Sequence, residues 1–316
     1  MERGDRMLTE PMDILKQFPV RKSKKQKESF RSAVQSYIEN LGYTCRFEKG
    51  SMGAQNVIIG DPDSAKFLVT AHYDTPAGLP FPNLITPCNA VAFIAYQLLV
   101  TIFMLTPSFV IAAIAELLLH EPLLTRAVYI LSLYASIFLM LLGPANRNNA
   151  NDNTSGVVTV LEMARTMPEN LRERVCFVLF DLEEAGLIGS ASYRKTHKKE
   201  SENQIVLNLD CVGDGNEIVL FPNKKLKKDP EKMALLSAAC GEFGTKSISV
   251  RKKGFSYYPS DQKNFPYGVG IAAFRRNKLA GLYCSRIHTK KDTVLEQTNV
   301  NILRAALTTL IGTAVN

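Results

Sequence analysis

The rhythm of apolar and polar positions changes character twice along this chain. Before residue 84 it is that of an ordinary folded domain. Phe30, Val34, Tyr37, Ile38 and Leu41 fall at helical spacing with Gly42 as a stop. Residues 55–60 (QNVIIG) and 66–71 (KFLVTA), bounded by Gly, Asp and Pro, read as strands that look like a paired start to a sheet. From Leu84 to Gly143 the charged positions nearly vanish, with Glu116, Glu121 and Arg126 the exceptions. After Gly143 strand-like and helix-like runs alternate: helices are predicted at 155–166, 184–197, 230–242 and 298–314, and strands at 175–181, 205–210, 217–221, 247–250 and 269–274. Alternation of this kind predicts the α/β class, with a mostly parallel or mixed central sheet covered by helices on both faces.

The middle stretch has a different logic. Residues 89–119 are apolar apart from Thr, Ser, Gln, Pro107 and Glu116, and residues 127–142 (AVYILSLYASIFLMLL) carry no charge. A membrane-spanning helix needs about 20 apolar residues, and neither segment has the polar stripe of a surface helix. The prediction is a transmembrane helical hairpin, 84–143, inserted into a catalytic domain made of 1–83 and 144–316. Two buried core helices, or an oligomer interface, are the competing explanation. Candidate chemistry lies on both sides of the insert, so the number of crossings must be even. The insert carries a net charge of −1 and the rest of the chain +9, which places the catalytic domain on the cytoplasmic side by the bias of positive residues.

Composition adds little to this. At 316 residues and 46% hydrophobic content the chain can bury a sizeable core in one or two domains, and its net charge of +8 favours acidic substrates or surfaces. No nucleic-acid partner is expected. The basic run RKSKKQK at 21–27 reads as a solvated face, with an anionic lipid surface as the alternative. The charged N-terminal stretch MERGDRMLTEPMD has no apolar core, so no secretory signal is expected. Six scattered cysteines without CxxC spacing predict free thiols in a reducing compartment.

The candidate chemistry gathers at predicted strand ends, where open α/β sheets place their functional groups. His72 and Asp74 follow FLVTA, Glu183 and Glu184 follow VCFVLFDL, and Asp210 ends IVLNL. Asp152 sits in the small, amide-rich loop GPANRNNANDNTSG at 143–156, ahead of a predicted helix, and His288 lies in the loop SRIHTKKDT. Two His and several carboxylates without Cys suit two zinc-like ions bridged by a carboxylate. Each motif also has a plainer reading. His72 and Asp74 project to one side of an extended segment, as a ligand and its supporting partner would, or form an incidental loop pair. Glu183 and Glu184 divide into ligand and general base, or simply favour the start of a helix. His120 and His197 fall outside the constellation, in the insert and in a solvated run.

AHYDT, ANDNTSG, FDLEEAGLIGS, NLDCVGDG, YYPSDQKNF and RIHTKKDT occur in an order and spacing that resemble the di-zinc aminopeptidases of metallopeptidase family twenty-eight, over residues 26–83 and 144–316. The resemblance implies a zinc-exopeptidase-like three-layer sandwich. It also implies His72, Asp152 and Asp210 on one zinc, and Asp152, Glu184 and His288 on the other, with cobalt or manganese as candidate replacements. Glu183 is then the general base and acid, Asp74 the support of His72, Asp261 structural or substrate-side, and Tyr257 or Tyr258 an aid to the oxyanion. The implied substrate is a peptide with a free N-terminus. The departure is the insert: His72 and Asp152, close in sequence within the family, are 80 residues apart here. A glutaminyl cyclase or another amide-cleaving enzyme of the same fold is the first alternative, and a scaffold without activity the second. No oligomeric state is predicted.

Overall fold

The computed structural model describes residues 8–314; the first part of the charged N-terminal stretch lies outside them. Among the described residues ten strands occur, β1 (Cys45–Lys49), β2 (Gln55–Ile59), β3 (Phe67–His72), β4 (Val175–Phe180), β5 (Ile205–Leu209), β6 (Glu217–Pro222), β7 (Gly241–Phe243), β8 (Lys246–Val250), β9 (Tyr267–Asn277) and β10 (Gly281–Tyr283). They form one sheet in the order β1-β2-β4-β3-β5-β9-β6-β8-β7, with β10 on the far end of β9. The centre, β4-β3-β5-β9, is parallel throughout, and antiparallel strands extend it on both sides. This is the expected mixed α/β architecture.

The longer helices are α1 (Lys24–Asn40), α2 (Ala90–Leu119), α3 (Pro122–Leu142), α4 (Gly156–Thr166), α5 (Ile188–Thr196), α6 (Pro230–Ser237) and α7 (Gln297–Thr313). Alternate strand residues explain the layers. Val57, Val69, Phe177 and Leu207 face α1, α4 and α7 in the main core, whereas Ile58, Leu68, Val178 and Val206 face Tyr193 of α5 and Phe265 on the other side. Strands buried on both faces have no reason to alternate in polarity, which is why β3, β4 and β5 read as unbroken apolar runs.

Three expectations need correction. β2 and β3 do not pair with each other. β3 is buried along its whole length and has parallel neighbours on both edges, β4 and β5, so β2 lies beyond β4. The basic run is only partly a solvated face. Arg21 is fully buried, donating to the carbonyls of Tyr73 (2.6 Å) and Phe18 (2.7 Å) and to Thr154 Oγ1 (3.1 Å), and Lys27 pairs with buried Asp181 at 2.5 Å. Nor is His197 solvated: its Nε2 lies 2.7 Å from Glu48 and its ring stacks on Tyr193. All six cysteines are free, as expected.

α2 and α3 are the hairpin, and both are long and apolar enough to cross a membrane. They lie side by side, with Phe109 and Tyr129 rings 5.0 Å apart and Thr125 donating to Glu116 across the turn. Ser108, Ala112 and Ala115 are the buried positions of α2, a small-residue stripe that permits close approach of a neighbouring helix. The alternative of two buried core helices does not hold. More than twenty large apolar side chains between Val91 and Leu142 are exposed. An exposed apolar surface of this extent calls for a cover, which an oligomer partner supplies as readily as lipid.

Candidate metal centre

The site stands at the carboxyl ends of the parallel strands. His72 ends β3, Glu183 and Glu184 lie in the turn after β4, and Asp210 directly follows β5. Asp152 comes from an irregular turn, Ala150–Ser155, that leads into α4, and His288 from the loop after β10. Gly156 opens α4 because nothing larger fits: a Cβ there would meet the Leu209 carbonyl at 2.4 Å.

All seven expected residues come together. His72 Nε2 lies 3.3 Å from Asp152 Oδ1 and 3.8 Å from Asp210 Oδ1, while His288 Nε2 lies 2.9 Å from Asp152 Oδ2 and 3.5 Å from Glu184 Oε2. Asp152 therefore turns one oxygen to each histidine. Two sets of donors that could hold a metal ion, His72–Asp152–Asp210 and Asp152–Glu184–His288, share it, and a third, His72–Glu183–Glu184, overlaps the first. Asp74 lies beneath His72, with Oδ1 3.4 Å from Nδ1, and accepts the backbone amides of Glu183 (3.1 Å) and Glu184 (3.2 Å). One carboxylate thus ties the β3 end to the β4 turn.

The amides around Asp152 are the part the sequence reading missed. Asn151 Oδ1 accepts from the amides of Gly213 (2.7 Å) and Asp214 (3.2 Å), and Asn153 Nδ2 donates to the carbonyl of Leu209 at 2.9 Å. Asp292 holds the backbone amides of Asn151 (2.7 Å) and Asp152 (3.1 Å). The run NNANDN carried this signal, because buried loop backbone needs side-chain partners. Leu182, Cys211 and His288 all have left-handed backbones, with φ of 56°, 57° and 58°. Such conformations cost of order 1–3 kcal/mol in a non-glycine residue and concentrate at functional sites.

The cluster holds more acidic groups than its two histidines can balance. Burial, with Glu184, Asp261 and Asp210 adding to it against His72, holds Glu183 well above the usual carboxylate range. Glu184 is raised likewise, by burial and then by Asp152. Burial opposes protonation of His72, yet Glu183 and the carboxylates of Asp152, Asp210 and Asp74 override it and raise its pKa. His72 Nδ1 and Glu184 Oε1 are buried without a properly formed hydrogen bond. Imidazole and carboxylate donors crowded this way fit a borderline divalent cation such as zinc, which would neutralise the surplus acid.

Asp261 is buried, its carboxyl pushed up to about 7 by burial, and it does not line the cavity, so of its two expected roles the structural one agrees with its position. Tyr258 donates its hydroxyl to the Asp210 carbonyl at 3.0 Å; Tyr257 is half-exposed at the cavity wall.

The model of Peptidase family M28 matches residues 135–311, more than half of the chain. This protein belongs to peptidase family M28. Five of the expected residues lie inside the matched span, and β3 brings His72 and Asp74 to them. Aminopeptidase YwaD of Bacillus subtilis (strain 168) is 39% identical over 67 residues, which is 20% of this chain and only 15% of that protein. Among solved structures, the LapA aminopeptidase of Legionella pneumophila aligns over 97% of this M28 chain and 68% of its own, with a TM-score of 0.57 and 15% identity. Tannerella forsythia glutaminyl cyclase aligns over 95% and 96%, with a TM-score of 0.56 and 13% identity. At these identities the two structures speak to the fold alone.

Proposed function

We propose that this M28 member is a membrane-anchored two-zinc aminopeptidase that removes N-terminal residues from peptides. Residues 1–83 and 144–316 form the catalytic unit and 84–143 the anchor. The observation that carries the proposal is the sharing of Asp152, whose two oxygens face two separate sets of donors. His72, Asp152 and Asp210 would hold one ion, and Asp152, Glu184 and His288 the other.

When bound, zinc polarises a scissile carbonyl and makes water acidic enough to attack near neutral pH. Glu183 accepts the proton from the attacking water and returns it to the leaving amine. Its place in the cavity beside both sets of donors suits both tasks, because a general base and acid must lie within reach of the proton it moves. Asp74 orients His72 and fixes the Glu183 turn. The surplus of carboxylates matches a substrate's N-terminal ammonium, which favours cleavage at the chain end. The excess of Lys and Arg outside the hairpin supports a cytoplasmic catalytic unit.

Zinc analysis together with aminoacyl-amide hydrolysis by detergent-purified protein tests the proposal. Two zinc ions per chain and turnover abolished in a Glu183→Gln variant that keeps its metal are expected; a Gln variant that still turns over removes Glu183 from the mechanism. The shared fold with glutaminyl cyclases supports a second reading, which predicts one zinc and cyclisation of N-terminal glutamine in place of hydrolysis.

A further inference from the structure

The first helix of the hairpin also forms a wall of the catalytic cavity. Phe93 and Gln97, one turn apart on one face of α2, line the same space of about 390 Å³ as His72, Asp152, Glu183 and His288. The root of this helix is tied to the catalytic unit. Asn89 caps it at the Ala92 amide (3.0 Å) and donates to the carbonyls of Leu279 (3.2 Å) and Ala280 (3.3 Å), and the Tyr96 hydroxyl donates to the Pro82 carbonyl at 2.7 Å. Phe93 lies against Tyr257, ring centroids 5.2 Å apart.

Gln97 is the only side-chain amide in α2, and among the described residues that amide makes no hydrogen bond. Nearby, Val91, Ile94 and Leu98 are exposed and apolar, so lipid would surround the helix at this height. Gln97 is itself exposed and lines the cavity, so its amide is free to meet a ligand there, and polar residues in membrane helices usually serve function. The cavity is what Gln97 can serve.

We infer that Phe93 and Gln97 contact substrate, so that the hairpin selects the substrate as well as anchoring the enzyme. Phe93 and Tyr257, with Leu84, Ile85 and Ile287, receive a large apolar N-terminal side chain, and the Gln97 amide hydrogen-bonds the adjoining peptide group. This rests on the aminopeptidase function proposed above.

The test is the ratio of kcat/KM for leucyl over alanyl peptide amides, with bound zinc measured in parallel. The unaltered chain should favour leucyl substrates on the order of 10- to 100-fold, and Phe93→Ala should cut that ratio about tenfold with zinc unchanged. Gln97→Leu should keep the ratio and lower kcat/KM for both about three- to tenfold, the worth of one neutral hydrogen bond. A binding readout is independent of turnover. The chain has no tryptophan, so Phe93→Trp in a Glu183→Gln background installs a single indole that can be excited apart from the tyrosines. Leucinamide should shift its emission more than alaninamide. An unchanged Leu/Ala ratio in Phe93→Ala, or an indole blind to leucinamide when the unaltered chain hydrolyses aminoacyl amides, overturns the inference alone. No hydrolysis of any aminoacyl amide by the unaltered chain overturns the aminopeptidase function and this inference with it.

Discussion

Asp74→Asn separates orientation of the metal ligands from the ligands themselves. The buried Asp74 carboxylate accepts two backbone amides at 3.1 and 3.2 Å and faces His72 Nδ1 at 3.4 Å. Asparagine keeps the shape but leaves one acceptor and turns the other end into a donor that faces a donor. At least one buried N–H then has no acceptor, at a cost of about 1–3 kcal/mol. If that N–H belongs to His72, the ring loses the partner that fixes its tautomer and raises its basicity. Such partners are worth about 10- to 100-fold in metal affinity, or about 1.4–2.8 kcal/mol, which falls within the same range. Zinc competition against a fluorescent chelator reads the loss, and circular dichroism checks that the fold is kept. The expected result is a zinc affinity lower by about 10- to 100-fold, with turnover falling in step at limiting zinc. An Asn variant that binds zinc as tightly as the parent would refute the role given to Asp74.

Two further predictions concern stability. Arg21→Met leaves the carbonyls of Tyr73 and Phe18 and the Thr154 hydroxyl without their buried donor, so at about 1 kcal/mol or more each the loss should reach about 3 kcal/mol in chemical denaturation; a loss well under 1 kcal/mol would return Arg21 to a solvated face. Stripped of metal, the protein should melt lower at about pH 8 than at about pH 5. Glu183 and Glu184 are raised by burial first, so the fold favours their neutral forms and loses stability as rising pH ionises them. His72 and His288 are raised by neighbouring carboxylates against burial, and the stability their protonation contributes is lost over the same rise. Asp74 and Asp152, held low, act only below their ordinary range near pH 4. Saturating zinc should flatten the dependence; a metal-free Tm that rises with pH would contradict the signs.

His72, Asp74, Glu183, Glu184 and Asp210 were legible because each is an ionisable group at or just past the end of an apolar run, where burial without a partner would be costly, whereas Asp152 and His288 lie in polar loops and were legible through the motifs around them. Strand and helix positions followed from burial: β3, β4 and β5 are unbroken apolar runs because both their faces are covered, and α7 is set by its one apolar face. Pairing was not legible. Nothing local distinguishes β2 beside β3 from β2 beside β4; that choice belongs to the whole sheet. The predicted helix 230–242 stops at Ser237, and β7 follows within the predicted span, because Gly241–Phe243 pairs with β8 rather than continuing the helix. Helix 184–197 starts at Ile188, since the Asp74 carboxylate holds the Glu183 and Glu184 amides in a turn. The buried roles of Arg21 and Lys27 were hidden for a related reason, as their partners lie far along the chain, in the carbonyl of Tyr73, in Thr154 and in Asp181.

The central claim is that Asp152 joins two metal positions, and zinc stoichiometry across three single variants tests it most directly. The account predicts two zinc ions in the parent, one each in Asp210→Ala and His288→Ala, and loss of both at comparable free zinc in Asp152→Ala. A parent that binds a single zinc, or an Asp152→Ala variant that keeps one ion at the parent's affinity, would contradict it.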